Sequence, residues 1–105
     1  MRLNQMPKPQ WSKFEEKVAH DFKANTTPGS GNQWFAKGDV VGKDFTVSCK
    51  TTARDSFSLK NTDWKEVDRI AASNGTWPTM ALDVNGKKYV VMDYDSFISW
   101  FMIQH

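Results

Sequence analysis

The stretch Gly38–Thr52, which reads GDVVGKDFTVSCKTT, decides the fold of this chain. In its second half, apolar and polar side chains alternate, which is typical of a strand with one buried face. A shorter strand precedes it, and the Gly-Lys-Asp sequence between them predicts a turn that pairs the two strands as a hairpin. The pairing is expected to bring Asp39 close to Ser48 and Lys50.

The polar face of this predicted hairpin carries groups that suit a hard divalent cation. The Asp39 carboxylate and the Cys49 carbonyl offer oxygen ligands, and Mg²⁺ takes oxygen ligands while keeping several waters. Lys50 would then bind a phosphate or orient a metal-bound water. A thiol nucleophile at Cys49 is disfavoured, because its side chain falls on the apolar face and no histidine is placed to activate it.

Length and composition indicate one folded domain over residues 1–105, with residues 1–10 as a flexible N-terminal arm. The chain is 39% hydrophobic and 25% charged, which is ordinary for a globular protein. A formal net charge of +2 is too mild to identify a nucleic-acid binder. The single cysteine excludes an internal disulfide, and no apolar run is long enough to span a membrane. We therefore expect a cytoplasmic protein with no membrane partner.

The other elements are predicted from periodicity and from the residues that begin and end helices. In chain order they are a helix over Trp11–Asn25, a loop over Thr26–Asn32, a strand at Trp34–Ala36, a helix capped by Asn61 or Thr62 with Gly75 just past its end, strands over Thr79–Val84 and Lys88–Asp93 joined by Asn85-Gly86, and a helix from Ser96 capped by Asp95. With the hairpin, the order predicts an α/β fold with a mixed central sheet flanked by helices. The terminal helix is apolar nearly all round from Phe97 to Ile103, which predicts a homodimer.

Several segments resemble the PD-(D/E)xK nuclease superfamily, and within it the archaeal-type Holliday junction resolvases and their phage relatives. The resemblance rests on segments that occur in the family's order, namely Phe14-Glu15-Glu16-Lys17-Val18-Ala19, Gly29-Ser30-Gly31, Gly38-Asp39-Val40, Val47-Ser48-Cys49-Lys50-Thr51-Thr52 and Pro78-Thr79-Met80-Ala81-Leu82. It implies a restriction-endonuclease-like core (αβββαβ) with an additional C-terminal strand and helix. The chain departs from the family at Ser48, where an acidic residue is usual.

The resemblance also implies an activity, a cofactor and partners. The expected activity is that of an endonuclease dependent on Mg²⁺ or Mn²⁺, acting on DNA, in particular branched DNA such as a Holliday junction. The chain would act as a homodimer in the cytoplasm, or in the host cytoplasm if it is phage-encoded. The residues implied are Glu15, Asp39, Ser48 and Lys50 for catalysis, Asp39, Glu15 and the Cys49 carbonyl for the metal, and Ser30, Thr51, Arg54, Ser56 and Lys60 for DNA.

Two positions leave alternatives open. Glu15 and Glu16 both follow Phe14, and alignment of the apolar face favours Glu15, although Ser12 and Glu15 also fit a capping box at the helix start. A neutral Ser48 is a poor ligand for a hard cation, which raises the alternative of a nuclease fold that binds DNA without cutting it. A protein-interaction module ranks third.

Overall fold

The computed structural model describes residues 10–22, 25–26 and 39–104, and within them the chain forms three helices and five strands. The elements are α1 Gln10–Asp21, β1 Asn25–Thr26, β2 Asp39–Val41, β3 Phe45–Thr52, α2 Asn61–Asn74, β4 Trp77–Val84, β5 Lys87–Val91 and α3 Tyr94–Gln104. The strands form one sheet in the order β1-β2-β3-β4-β5, in which β3 and β4 are parallel and the other pairs antiparallel. The predicted α/β fold with a mixed sheet and flanking helices is confirmed.

The hairpin of β2 and β3 forms where the sequence predicts it. Asp39 lies opposite Ser48 and Val40 lies opposite Val47. The turn is closed by the Gly42 N–H, which donates to the Phe45 carbonyl at 2.8 Å. The register therefore matches the one that the alternating pattern indicates.

Helix α1 packs on the face of the sheet that carries Phe45, Val47 and Cys49 of β3. Its side chains share a buried cluster with β2, β3 and β4, made of Phe14, Val18, Ala19, Val40, Val47, Cys49 and Ala81. The terminal helix α3 reaches the same face, since the Trp100 ring lies 5.9 Å from the Phe45 ring. Burial of these apolar side chains is the main force that holds the two helices on the sheet.

Helix α2 covers the opposite face. Its buried residues are Val67, Ile70 and Ala71, and α2 contacts both β3 and β4. Just after α2, Thr76 Oγ1 lies 2.6 Å from Thr46 Oγ1, which places Thr46 on this face. Ser48 and Lys50 follow Thr46 at intervals of two and so share its face.

The expectation that β3 is only half-buried is wrong. Thr46 is fully buried and Ser48 is 7% exposed, although both belong to the polar half of the alternation. The reason is the parallel pairing with β4, which makes β3 a central strand with helices on both faces. Thr46 and Ser48 therefore face α2 and not open solvent.

The first helix is shorter than predicted, and the residues after it include a strand. Helix α1 ends at Asp21, and Asn25–Thr26 pairs antiparallel with Val40 and Val41. Asparagine and threonine favour helix interiors poorly, and a neighbouring strand was available to pair with them. The loop predicted over Thr26–Asn32 is wrong at Thr26, which belongs to β1. The rest of that loop and the strand predicted at residues 34–36 lie outside the described residues.

Glycine and asparagine end the elements as predicted. Gly75 follows α2 at φ 65°, and Asn85 and Gly86 form the β4–β5 turn at φ 49° and 91°. Left-handed backbone at both turn positions is the signature of a tight hairpin. Strand β4 begins at Trp77, two residues before the predicted start. Proline is tolerated at Pro78 because β5 pairs with β4 only from Met80 onwards, which leaves this end of β4 with a partner on one side.

Both predicted helix starts in the second half of the chain are wrong by one or two residues. Helix α2 follows Lys60 without a side-chain cap, so Asn61 and Thr62 lie inside it. Helix α3 begins at Tyr94, and Asp93 Oδ2 accepts from the Ser96 N–H at 3.1 Å. Asp93, and not Asp95, therefore satisfies the exposed N–H groups at the start of α3.

Candidate functional site

The hairpin site consists of Asp39, Ser48, the Cys49 carbonyl and Lys50. In the register, strand β2 starts at Asp39 opposite Ser48, and β3 continues beyond that pair through Cys49 and Lys50. Ser48 is buried and Lys50 is half-buried. The structure thus brings Ser48 and Lys50 to one face, with the Asp39 backbone beside them. The Asp39 side chain lies outside the described residues.

Helix α1 presents Glu15 inwards and Glu16 outwards. Glu15 is 6% exposed, whereas Glu16 is exposed. Helix α1 already begins at Gln10, so Ser12 lies within the helix and not at the position before its first residue. Glu15 nevertheless belongs to the helix that packs on the Val47 face, and Ser48 and Lys50 lie on the opposite face. The structure does not bring Glu15 onto the face of the hairpin site.

The expected DNA-contacting residues follow the C-terminal end of β3. Thr51 is the next-to-last residue of the strand, while Arg54, Ser56 and Lys60 are exposed in the segment that leads to α2. The Thr52 carbonyl accepts from the Asn85 N–H at 2.8 Å, which holds the start of this segment against the β4–β5 turn. Ser30 lies outside the described residues.

Charge pairing reduces the basic character of the neighbouring helix. Arg69 Nη2 lies 2.7 Å from Glu66 Oε1 on the exposed side of α2. The hydrogen bond from Arg69 lowers the pKa of the Glu66 carboxyl, which therefore stays ionised and compensates the guanidinium. Lys50 is half-buried and Arg54, Lys60 and Lys65 are exposed, so these residues carry the remaining positive charge between β3 and the start of α2.

Sequence reasoning missed a buried carboxylate at the same end of the sheet. Asp83 is 3% exposed, its Oδ1 accepts from the Gly86 N–H at 2.9 Å, and its Oδ2 lies 3.4 Å from Lys88 Nζ. It lines an open cleft of about 420 Å³ together with Thr51, Thr52, Ala53, Asn85 and Gly86. An aspartate inside an apolar strand and just before Asn-Gly was the available signal, because such a side chain caps the turn.

The described part of the chain shows neither a cluster of metal-binding side chains nor a helix that could span a membrane. It contains no group of three or more histidine, cysteine, aspartate or glutamate residues that could hold a metal ion. Its helices also lack the length and apolar character needed to cross a bilayer.

In comparisons with known proteins, no family model matches this chain and no curated protein matches it.

Proposed function

We propose that this chain is a metal-dependent endonuclease with a restriction-endonuclease-like core that cleaves phosphodiesters in DNA, in particular branched DNA such as a four-way junction. The observation that carries the proposal is the hairpin register, in which Asp39 lies opposite Ser48 and Lys50 follows two residues later. An acidic residue on one strand and a lysine on its neighbour are the pair that the family resemblance requires. The family assignment rests on that resemblance.

The residues of the hairpin site could hold Mg²⁺ or Mn²⁺, although they offer only a few ligands to the ion. Mg²⁺ is commonly held through one or two carboxylates and keeps several waters, so Asp39 and the Cys49 carbonyl would be enough. When bound, the ion would offset the charge that develops on the scissile phosphate and lower the pKa of a bound water.

The chain's own residues supply the remaining functions. Lys50 is half-buried near the C-terminal end of β3, and its ammonium would bind a phosphate or orient the attacking water. Thr51, Arg54, Ser56 and Lys60 would position the DNA through its backbone. Glu15 would have to reach the hairpin site around the end of the sheet, so the proposal does not depend on it.

The second candidate is a DNA-binding module that does not cut, and the burial of Ser48 favours it. Ser48 replaces the family's acidic residue with a hydroxyl, and α2 covers the face on which it lies. A buried neutral residue contributes no charge to attract a cation. The same basic surface would still bind DNA.

Cleavage of a labelled four-way junction distinguishes the two candidates. Purified protein would be incubated with the junction and with a duplex of equal length, in Mg²⁺, in Mn²⁺ and in chelator. The proposal predicts cuts in the junction that depend on the metal. If the protein binds the junction but does not cut it in either metal, the result would favour the DNA-binding module.

DNA binding is expected to weaken steeply with salt and to be nearly independent of base sequence. The candidate contacts are cations and hydroxyls that bind phosphates. With Lys50, Arg54 and Lys60 each neutralising one phosphate, log K should fall with log salt concentration with a slope of about −0.9 per contact and about −3 in total for one chain. Titrating two unrelated duplexes at several salt concentrations measures both quantities.

Two substitutions locate the contacts in that titration. Arg54→Ala should reduce the magnitude of the slope by about 1. Lys43→Ala is the matched control, since Lys43 is exposed in the β2–β3 turn at the other end of β3. Equal effects of the two substitutions, or a strong sequence preference at high salt, would contradict the proposed surface.

The protein is also expected to be a symmetric dimer through the outer face of α3, defined by Ile98, Met102 and Ile103. Met102 is 68% exposed and Ile103 69% exposed, which is unusual for such apolar side chains clustered on one helix. Sedimentation at micromolar concentration should give twice the chain mass of 12.0 kDa.

A charge on that face should separate the subunits. Met102→Glu is expected to give a monomer, because an isologous contact would bury the new charge twice. Leu59→Glu is the control, since Leu59 is an exposed apolar residue away from α3. If the wild-type protein stays monomeric on junction DNA, the hypothesis of a dimeric junction resolvase is excluded. The hypothesis of a nuclease that acts as a monomer would remain.

A further inference from the structure

Strand β5 lies at one edge of the sheet. It pairs with β4 on its inner side, and no other strand of the described residues lies beside it. In the middle of this strand, Tyr89 is 48% exposed and Val90 is 62% exposed. Proteins usually shield the edge of a sheet, because an open edge with aromatic and β-branched side chains is a template for pairing with another strand. The edge formed by β5 is therefore a candidate interaction surface.

The turn before β5 determines which backbone groups of the strand point outwards. The two-residue turn 85–86 has positive φ at both positions, and a turn of this type hydrogen-bonds the residues on its two sides, Val84 and Lys87. Hydrogen-bonded and non-hydrogen-bonded pairs alternate along an antiparallel ladder, so Lys88 and Val90 belong to non-hydrogen-bonded pairs with β4. The N–H and C=O groups of these two residues therefore point away from β4, towards the open edge.

This edge is complementary to the same edge of a second copy. In an antiparallel pairing centred on Tyr89, Lys88 of each copy lies opposite Val90 of the other, and the outward N–H and C=O groups of these residues form the hydrogen bonds of the ladder. All residues of β5 are then paired, and each of its two lysines lies opposite a valine. A pairing centred on Lys88 would place two lysines directly opposite each other, which is destabilising. The lysines therefore favour the register centred on Tyr89.

The side chains at this edge also suit self-association. Lys88 Nζ lies 3.4 Å from Asp83 Oδ2, so its charge is partly compensated within its own subunit. At the centre of the pairing, the two Tyr89 residues form a non-hydrogen-bonded pair, in which side chains lie close together, and aromatic pairs across strands are stabilising. Strand β5 also leads into α3, whose outer face is the expected dimer surface, so the edge and that face can belong to one interface.

We propose that two copies of this chain associate through antiparallel pairing of their β5 strands, which joins their five-stranded sheets into one continuous sheet. The two-fold axis of such a pair is perpendicular to the sheet, because residues directly opposite each other have side chains on the same face. Equivalent faces of the two copies therefore lie on the same side of the joined sheet.

The pairing determines the distance between the two hairpin sites. Lys50, Leu82 and Tyr89 lie in one row across β3, β4 and β5. Continuing this row into the second copy places the two Lys50 backbones about 24 Å apart, at about 4.8 Å for each step between strands. Both hairpin sites then face one DNA molecule from the same side of the dimer. This consequence rests on the proposed function, whereas the strand pairing does not.

Cysteine cross-linking of the full chain tests the pairing and its register. Tyr89→Cys places two thiols at the two-fold axis, where the Cα atoms of a non-hydrogen-bonded pair lie about 4.5 Å apart, within the range of a disulfide. Under mild oxidation at micromolar concentration, nearly all of this variant should become a covalent species of twice the chain mass. The native Cys49 is buried and gives both cysteine variants the same background.

Lys87→Cys is the matched control for cross-linking. Lys87 is also exposed on β5, but in the proposed register it lies opposite Val91 of the second copy. Two cysteines at position 87 would be about 14 Å apart, because four residues of an antiparallel strand separate them. This variant should remain uncross-linked under the same conditions.

Val90→Lys tests the pairing without a cross-link. The new lysine lies opposite Lys88 of the second copy, so sedimentation at micromolar concentration should show loss of the dimer. Val90→Thr keeps the β-branched shape and should stay dimeric, and circular dichroism would show that both variants fold.

The proposal is overturned if the wild-type protein sediments as a monomer, if Tyr89→Cys cross-links no faster than Lys87→Cys, or if folded Val90→Lys stays dimeric. These measurements need no DNA. A chain that forms the Tyr89→Cys cross-link but cuts no junction as wild type would contradict the nuclease proposal and leave the strand pairing supported.

Discussion

Asp39→Asn is expected to abolish metal-dependent cleavage of junction DNA while leaving DNA binding intact. In the proposed function Asp39, which pairs with Ser48 in the hairpin register, supplies the carboxylate that would hold the metal. An amide keeps the shape of the side chain but removes the charge that holds a hard cation. Losing about 4 kcal/mol of transition-state stabilisation corresponds to about a thousandfold in rate. Binding should persist or tighten, because a negative charge leaves the phosphate site.

The measurement pairs single-turnover cleavage with a binding titration in chelator. Asp44→Asn is the matched control, since Asp44 is an exposed carboxylate in the turn of the same hairpin. It makes the same change of charge and should cleave at the wild-type rate. If Asp39→Asn cleaves as well as wild type, the metal site is elsewhere in the chain.

The fold could be predicted from the sequence where local chemistry determines it. The β2–β3 register follows from alternation and a three-residue turn, and the turn at Asn85 and Gly86 follows from residues that tolerate positive φ. The position of Gly75 after α2 has the same cause. Each of these signals lies within a few residues of the structure that it specifies.

Features that depend on distant segments could not be predicted. Strand β1 has two residues, too few to show a period, and it exists because Val40 and Val41 offer it a partner. The residues of β3 and β4 do not themselves indicate that the two strands pair in parallel. This pairing buries Ser48, which lies on the polar face of β3 where the sequence predicts the functional site. Helix α1 packs on the face of Val47 and Cys49, so Glu15 lies across the sheet from Lys50.

The position of Ser48 makes its replacement by an acidic residue informative. Its neighbours across the two ladders are Asp39 and Met80, and it is 7% exposed. A glutamate there adds bulk to a packed site, which typically costs about 1–3 kcal/mol. It also places a second carboxylate beside Asp39, and two like charges repel without a cation between them.

Ser48→Glu is therefore expected to lower the melting temperature in chelator and to recover it in metal. With about 4–8 °C for each kcal/mol in a domain of this size, the loss should be readily measured. At a hundredfold excess of Mg²⁺ over its dissociation constant, binding returns about 2.7 kcal/mol. Cleavage should then require less metal than in wild type, because the ion gains a charged oxygen ligand. Ser48→Ala should change both quantities little.

Ser48→Gln is the control that separates charge from bulk. It should lower the melting temperature as Ser48→Glu does through packing, but metal should not restore it, because an amide attracts the cation weakly. Equal responses of the two variants to metal would mean that position 48 does not face the ion. If wild type cleaves nothing and Ser48→Glu gains metal-dependent cleavage, the chain is a DNA-binding module whose fold retains the geometry of the site without its second carboxylate.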